Sequence, residues 1–275
     1  MKVTRLAPAM GAEITGINLA ASDFADNVIG DLRAVWLEHK MVVLRNQNLS
    51  PQQQLALARA FGEPAIYPFL DGVDGIPELT AVLKREHETV NFGGVWHTDT
   101  IYQDEPPMAT MLQAVELPPI GGDTMFANQE LAYERLSDGL KEMLGGLRVV
   151  CTANKAKVAA TRTARIEEAG NGADVNALVA VHPVVRTHPE TGRKSLYLSP
   201  GHATAFEGWT DEESAGLLAF LFQHQIAAEF QCRLGWGVGD IAIWDNRSTL
   251  HYPLNDYHGH RRLLHRITPK GDKPV

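Results

Sequence analysis

The chain has 275 residues, 44% of them hydrophobic and 21% charged, with a formal net charge of −8. That length supports a well-buried core, and the acidic balance excludes the basic face that a nucleic-acid-binding surface needs. No apolar run approaches the roughly 20 residues that span a bilayer, and the opening Met1-Lys2-Val3-Thr4-Arg5 lacks the apolar stretch of a secretory signal.

In chain order, Gly11–Leu19 reads as a strand pair turning around Gly11 and Gly16, and Val28–His39 carries apolar side chains at helical spacing. Met41-Val42-Val43-Leu44 follows as a buried strand. Ser50-Pro51-Gln52-Gln53 is a helix start with a serine cap, proline at the first position and glutamine three residues on, and Gly62 supplies the stop. Short β-type segments occupy Met108–Val115, Leu147–Cys151, Val181–Thr187, Lys194–Leu198, Ile241–Trp244 and Arg262–Thr268. A second capping box, Thr210-Asp211-Glu212-Glu213, opens a helix that runs to about Gln225. Asn154–Ala177 has no strand periodicity and reads as a lid-like excursion from the core. Many short strands with few, peripheral helices predict a mainly β fold, a sandwich or jelly roll, in one domain over residues 1–275. Cys151 and Cys232 stand far apart and outside any CxxC pattern, as in a protein of the reducing cytoplasm.

Chemistry concentrates first at Trp96-His97-Thr98-Asp99. In a strand, residues two apart share a face, so His97 and Asp99 converge on one point. An imidazole and a carboxylate, joined by a distant histidine, form the two-histidine-one-carboxylate set that suits ferrous iron and leaves positions open. His251, just after Trp244-Asp245-Asn246-Arg247-Ser248-Thr249-Leu250, is the candidate for the third donor, with His258, His260 and His265 as rivals. Arg262 and Arg266 lie four apart on one strand face, about 13 Å between Cα atoms, so they suit two separate anionic groups. Trp96, Trp244 and Phe126 are candidates to wall the site, and Asp245 and Asn246 to brace the turn before His251. His182, His188, His202 and His224 read as ordinary core or surface histidines.

Several pieces occur in order along nearly the whole chain: Gly11-Ala12-Glu13-Ile14-Thr15-Gly16, His97-Thr98-Asp99, Glu105-Pro106-Pro107, Gly121-Gly122-Asp123-Thr124, His182-Pro183-Val184-Val185-Arg186-Thr187-His188-Pro189, Trp244-Asp245-Asn246-Arg247, His251-Tyr252, Arg261-Arg262 and His265-Arg266. Together they resemble the taurine/phenoxyacetate (TauD/TfdA) dioxygenase family. The resemblance implies a double-stranded β-helix with Fe(II) held by His97, Asp99 and His251. It implies α-ketoglutarate (2-oxoglutarate) as co-substrate, its far carboxylate on Arg262 and Thr124. Arg266 would serve the substrate and the keto acid end, and Tyr67, Asn91 and Tyr102 would line the substrate pocket.

The expected reaction consumes O2 and hydroxylates a small anionic or zwitterionic molecule, giving succinate and CO2. Relatives assemble as dimers or tetramers, so a homo-oligomer is expected. Where the taurine enzyme carries a substrate-contacting histidine this chain has Tyr67, Leu70 stands for a tyrosine, and Asn91 is out of register near Gly93, so taurine itself is not the expected substrate. A zinc hydrolase and a non-catalytic jelly-roll binding protein are the competing readings of the same residues.

Overall fold

The computed structural model describes residues 1–21, 26–67, 69–155 and 177–275; residues 156–176 of the expected excursion lie outside the described residues. The chain opens with strands β1 (Lys2–Arg5) and β2 (Ala12–Thr15), helix α1 (Asp26–His39), β3 (Met41–Leu44) and α2 (Pro51–Phe61). Strands β4 (Pro64–Ala65), β5 (Gly72–Val73), β6 (Ile76–Lys84), β7 (Ala109–Glu116) and β8 (Thr124–Asn128) follow, then α3 (Gln129–Glu134) and α4 (Asp138–Leu144). After β9 (Arg148–Thr152) come β10 (Val179–Pro183), β11 (Val185–Thr187), β12 (Lys194–Leu196), β13 (Ala203–Phe206) and α5 (Asp211–His224). The chain finishes with β14 (Gln231–Leu234), β15 (Ile241–Asp245), β16 (Thr249–Pro253) and β17 (Arg262–Pro269).

Two sheets make the jelly roll. The larger runs β1-β2-β3-β15-β7-β17-β6-β5, and the smaller, β14-β8-β16, faces it. Purely apolar strands mark the place where both faces of the large sheet are covered. On β15, Ile241 and Ile243 pack with Leu32, Trp36 and Leu57 of α1 and α2, while Ala242 and Trp244 point the other way, onto Phe126, Cys232 and Leu234 of the small sheet. β3 divides in the same manner, Val42 and Leu44 toward the helices and Met41 and Val43 toward the interior. Such alternation with both faces apolar explains why these segments read as continuous hydrophobic runs.

Helix boundaries follow the capping chemistry. The Ser50 hydroxyl accepts from Gln53 N and the Gln53 side chain accepts from Ser50 N; Thr210 and Glu213 do the same for α5. Each reciprocal cap satisfies backbone donors that the first helical turn leaves without partners. A third apolar cluster joins α3, α4 and α5 to β9, β11, β12 and β13, so the helical segments outside the sheets bury their own core.

Three expectations need correction. The opening strand is not paired within Gly11–Leu19: β2 pairs antiparallel with Lys2–Arg5 and parallel with β3. Val181–Thr187 is two strands, since β10 pairs with β9 whereas β11 turns away to pair with β12. Finally, His97 and Asp99 do not lie on a regular strand. His97 forms an isolated bridge with His251, and Asp99 sits in the turn that follows, next to Thr100 at φ 45°.

Candidate metal centre and its two flanking cavities

His251 is placed by β16, whose register with β8 sets it opposite Phe126. His97 N donates to His251 O at 3.0 Å and His251 N donates to His97 O at 2.8 Å. That main-chain exchange brings the two imidazoles to 4.1 Å between ring centroids. With Asp99 they form a buried trio whose donor atoms all lie within 4.8 Å of one another. His258 and His260 are exposed, and His265 is on the opposite face of β17 from Arg262 and Arg266, so the rivals for the third position are not brought to this point.

The protonation states suit a cation. His97 Nδ1 lies 2.7 Å from Val95 O, which fixes the proton on that nitrogen and turns the Nε2 lone pair toward Asp99 Oδ1, 3.7 Å away. Two lone-pair-bearing atoms facing at that distance call for a positive ion between them. Burial, with His97 beside it, pushes His251 down to about 3, so the imidazole is neutral. Burial alone would raise the Asp99 carboxyl; His251, Arg266, His97 and the Thr110 hydroxyl outweigh it and hold it well below the usual carboxylate range. His251 Nδ1 is a buried nitrogen that no protein atom satisfies. The neutral His251 imidazole and the ionised Asp99 carboxylate are in the states a metal ion requires of its ligands, and two nitrogens with one oxygen suit ferrous iron.

A relay of side chains supports the carboxylate. Trp244 Nε1 donates to Asn246 Oδ1 at 3.0 Å, Asn246 Nδ2 to Thr110 Oγ1 at 2.9 Å, and Thr110 Oγ1 to Asp99 Oδ2 at 2.5 Å. Asp245 braces the same turn from below: its carboxylate takes Arg247 through Nε at 2.9 Å and Nη2 at 2.7 Å, and His188 Nε2 at 2.9 Å. Arg247 continues to Glu190 at 2.8 Å and stacks on Trp36 at 5.2 Å. Asp245 and Asn246 thus act through the turn, as their sequence position suggested, whereas Thr110 carried no local signature at all.

One cavity opens from the trio along β17. It is lined by His97, Asp99, Thr124, Arg262, Lys84, Tyr257 and Trp244, with Asn91, Phe92 and Arg266 at its other side. Arg262 is 4% exposed, and Gly122 at φ 74° lets the chain pass so close that a Cβ there would stand 3.1 Å from Arg262 Cδ. Burial lowers the guanidinium from its ordinary value, yet an arginine remains cationic far below that value. The Thr124 hydroxyl accepts from Trp236 Nε1 at 3.0 Å, which leaves its own proton for a further acceptor. Asn91 lines this cavity too, with Nδ2 tied to Pro253 O at 2.9 Å.

A second cavity lies on the other side of the trio, bounded by Tyr67, Phe92, Gly93, Tyr102, His202 and Arg266. Arg266 stacks on the Tyr67 ring at 4.1 Å, and its Nη1 lies 3.6 Å from Asp99 Oδ1. Tyr67 and Tyr102 are both buried there, with Phe69 between them and Leu70 packed alongside. His182 is a satisfied core histidine, Nε2 at 2.7 Å from Ile101 O, and His224 likewise meets Ala132 O at 2.7 Å. His202 is a buried histidine as well, with Nδ1 at 3.0 Å from Ser199 Oγ, and its ring also joins Arg266 in the cavity wall. Trp244 packs on His251 at 4.8 Å with the rings tilted by 50°, and Phe126 stacks on it at 6.3 Å. Trp96 instead packs against Tyr252, the rings tilted at 5.7 Å between centroids, and lines a separate outer cavity.

Comparison with known proteins agrees with this arrangement. The family model described as "Taurine catabolism dioxygenase TauD, TfdA family" matches residues 2–268. The alpha-ketoglutarate-dependent sulfate ester dioxygenase of Pseudomonas putida is 33% identical, over 100% of this chain and 91% of that protein. The alpha-ketoglutarate-dependent 2,4-dichlorophenoxyacetate dioxygenase of Cupriavidus pinatubonensis is also 33% identical, over 98% of each. Among solved structures, a taurine dioxygenase from Burkholderia xenovorans superposes with TM-score 0.83 at 35% identity, covering 100% of this chain and 90% of that one. Matched over nearly its whole length in sequence and in fold, the chain belongs to the TauD/TfdA family of Fe(II)- and α-ketoglutarate-dependent dioxygenases.

Proposed function

We propose that this dioxygenase hydroxylates a small organic molecule carrying one anionic group, of the organosulfonate, alkyl sulfate, aryloxy acid or amino-acid-like kind, and that taurine is not its substrate. The observation that carries the proposal is Arg266: a buried guanidinium, packed on the Tyr67 ring, in a cavity walled largely by Tyr67, Phe92 and Tyr102 beside the metal trio. A bidentate cation at the wall of an apolar pocket selects an anionic head on an apolar body.

In this reading His97, Asp99 and His251 hold Fe(II), and Arg262 with Thr124 takes the far carboxylate of α-ketoglutarate. Tyr67, Tyr102 and Arg266 shape the substrate side, and Asn91 reaches the pocket through its fixed amide. With both groups bound, the iron and co-substrate supply activation of O2, so that one oxygen atom enters a C–H bond and α-ketoglutarate becomes succinate and CO2. The protein's own part is orientation: Arg262 at one end and Arg266 at the other fix two anions on one strand, so the carbon to be oxidised is set between them. Tyr67, Phe92 and Tyr102 keep water from that space. Substitution of Tyr67 for the taurine enzyme's histidine removes a hydrogen-bonding imidazole from the place where taurine is gripped.

We extend the same reading to one catalytic domain over residues 1–275, to a cytoplasmic site of action and to a homo-oligomer, dimer or tetramer. Supporting the compartment, both cysteines are buried and unpaired, with burial pushing the Cys151 thiol up to about 12. Among the described residues no helix is long and apolar enough to cross a membrane.

A panel of organosulfonates, alkyl sulfates, aryloxyacetates and amino acids, assayed for substrate-dependent succinate under Fe(II), tests the proposal. Activity is expected with a subset of the anionic compounds, absent with zinc in place of iron and absent in His97→Ala. Rapid sulfite release from taurine, or turnover only of uncharged compounds, overturns it.

A further inference from the structure

Lys84 ends β6 with its side chain buried, 2% exposed, and its ammonium makes no hydrogen bond. β6 pairs antiparallel with β17, and Lys84 stands directly opposite Arg262. Directly paired residues point to the same face with Cβ atoms about 5 Å apart. Two cations therefore enter the cavity of the metal trio side by side. Both rest on one ring: Lys84 Nζ is 4.4 Å and Arg262 Cζ 5.9 Å from the Tyr257 centroid. Arg262 Nε and Nη2 are also buried without a partner. The carboxylates whose charge Arg262 feels, Asp123 and Asp256, are engaged elsewhere: Asp123 takes Arg233 at 2.7 Å and Asp256 takes Gly122 N at 2.8 Å.

Like charges paired across two strands repel, and an ammonium buried without a counter-charge is strongly unfavourable. The face of Tyr257 offsets only part of that cost. An anion entering the cavity removes both penalties at once. We propose that Lys84 is a second cation for the far carboxylate of α-ketoglutarate, so that this carboxylate is held between two adjacent strands and not by Arg262 and Thr124 alone. The inference rests on the reading of this cavity as the co-substrate pocket. Arginine supplies the planar fork that fixes orientation, and lysine a point charge from the neighbouring strand.

The test is anaerobic calorimetry of the Fe(II)-loaded protein and its Lys84→Met variant, which keeps the length and packing of the stem. Loss of a charge-assisted contact is expected to weaken α-ketoglutarate binding about 10- to 100-fold. Binding of 2-oxobutanoate, which has the same keto acid end but no far carboxylate, is expected to stay unchanged. The ligand-free thermal midpoint is expected to hold or rise, because an unpaired buried charge has been removed; Lys84→Gln, uncharged but polar, is expected to show the same selective loss. Equal weakening of both ligands, or a lowered ligand-free midpoint in both variants, marks a structural role and overturns the proposal. Should Lys84→Met bind α-ketoglutarate within twofold of the parent while Arg262→Gln loses it, the pocket reading stands and the Lys84 inference falls. Undiminished binding in Arg262→Gln sinks the pocket reading, and the inference with it.

Discussion

Thr110→Val removes a single hydroxyl from the start of β7 at nearly constant volume, and its effect separates support of the metal site from the site itself. In the structure that hydroxyl donates to Asp99 Oδ2 and accepts from Asn246 Nδ2. A hydrogen bond to a charged group contributes about 1.5–3 kcal/mol, which converts to roughly 10- to 150-fold in affinity. Loss of a partner behind a metal ligand has a similar range, about 10- to 100-fold. Valine also leaves the Asn246 amide without an acceptor in a buried place, at a further cost of about 1–3 kcal/mol in folding stability. The expected outcome is Fe(II) affinity lowered at least tenfold in competition with a chromogenic chelator, a lowered thermal midpoint, and succinate formation that recovers in excess iron. Metal affinity within twofold of the parent refutes the relay. So does an activity loss that excess iron leaves untouched, since Thr110 would then act on something other than metal retention.

Arg266→Gln is expected to raise the apparent KM for the anionic substrate by about 10-fold or more through loss of a charged contact; steady-state kinetics on the substrate found by the panel decide it. His202→Phe is expected to change which compounds on that panel turn over while leaving Fe(II) affinity within twofold, because the ring lines the substrate-side cavity; an unchanged substrate profile removes His202 from specificity. Asp245→Asn is expected to destabilise the fold by about 3–5 kcal/mol at neutral pH by breaking a buried ion pair. Burial opposes the Asp245 charge, but Arg247 and His188 outweigh it and hold the carboxyl below its ordinary range. A depressed carboxyl stabilises above its unfolded value of about 3.9 and loses that contribution as pH falls. Thermal midpoints of parent and variant are therefore expected to differ by a constant amount above about pH 5, with the gap narrowing progressively as pH falls below about 4; a gap independent of pH refutes the ion-pair account.

Much of the large sheet was legible because its chemistry is local. β3 and β15 are apolar on both faces, and β17 alternates so clearly that Arg262 and Arg266 declare a common side. The two capping boxes marked α2 and α5 to within a residue or two. β6 escaped notice because Pro77 and Glu78 interrupt its pattern, and with it went Lys84. β8 and β16 are five residues each and mix polar with apolar side chains, so no periodicity develops. His97 and Asp99 were found for a reason that proved incidental, since a bridge and a turn, not strand alternation, bring them together. His202 looked ordinary because nothing within ten residues of it reveals that Arg266, on another strand, shares its cavity wall.

The paired amide and carbonyl groups that join His97 to His251 belong to the backbone, and they are therefore indifferent to what the side chains carry. Replacing either imidazole with a smaller group leaves that clasp fastened and opens a vacancy of about the size of the ring that was lost. Free imidazole supplied in solution has a shaped place to enter, so the site can be emptied of a donor and refilled from outside without refolding the chain around it.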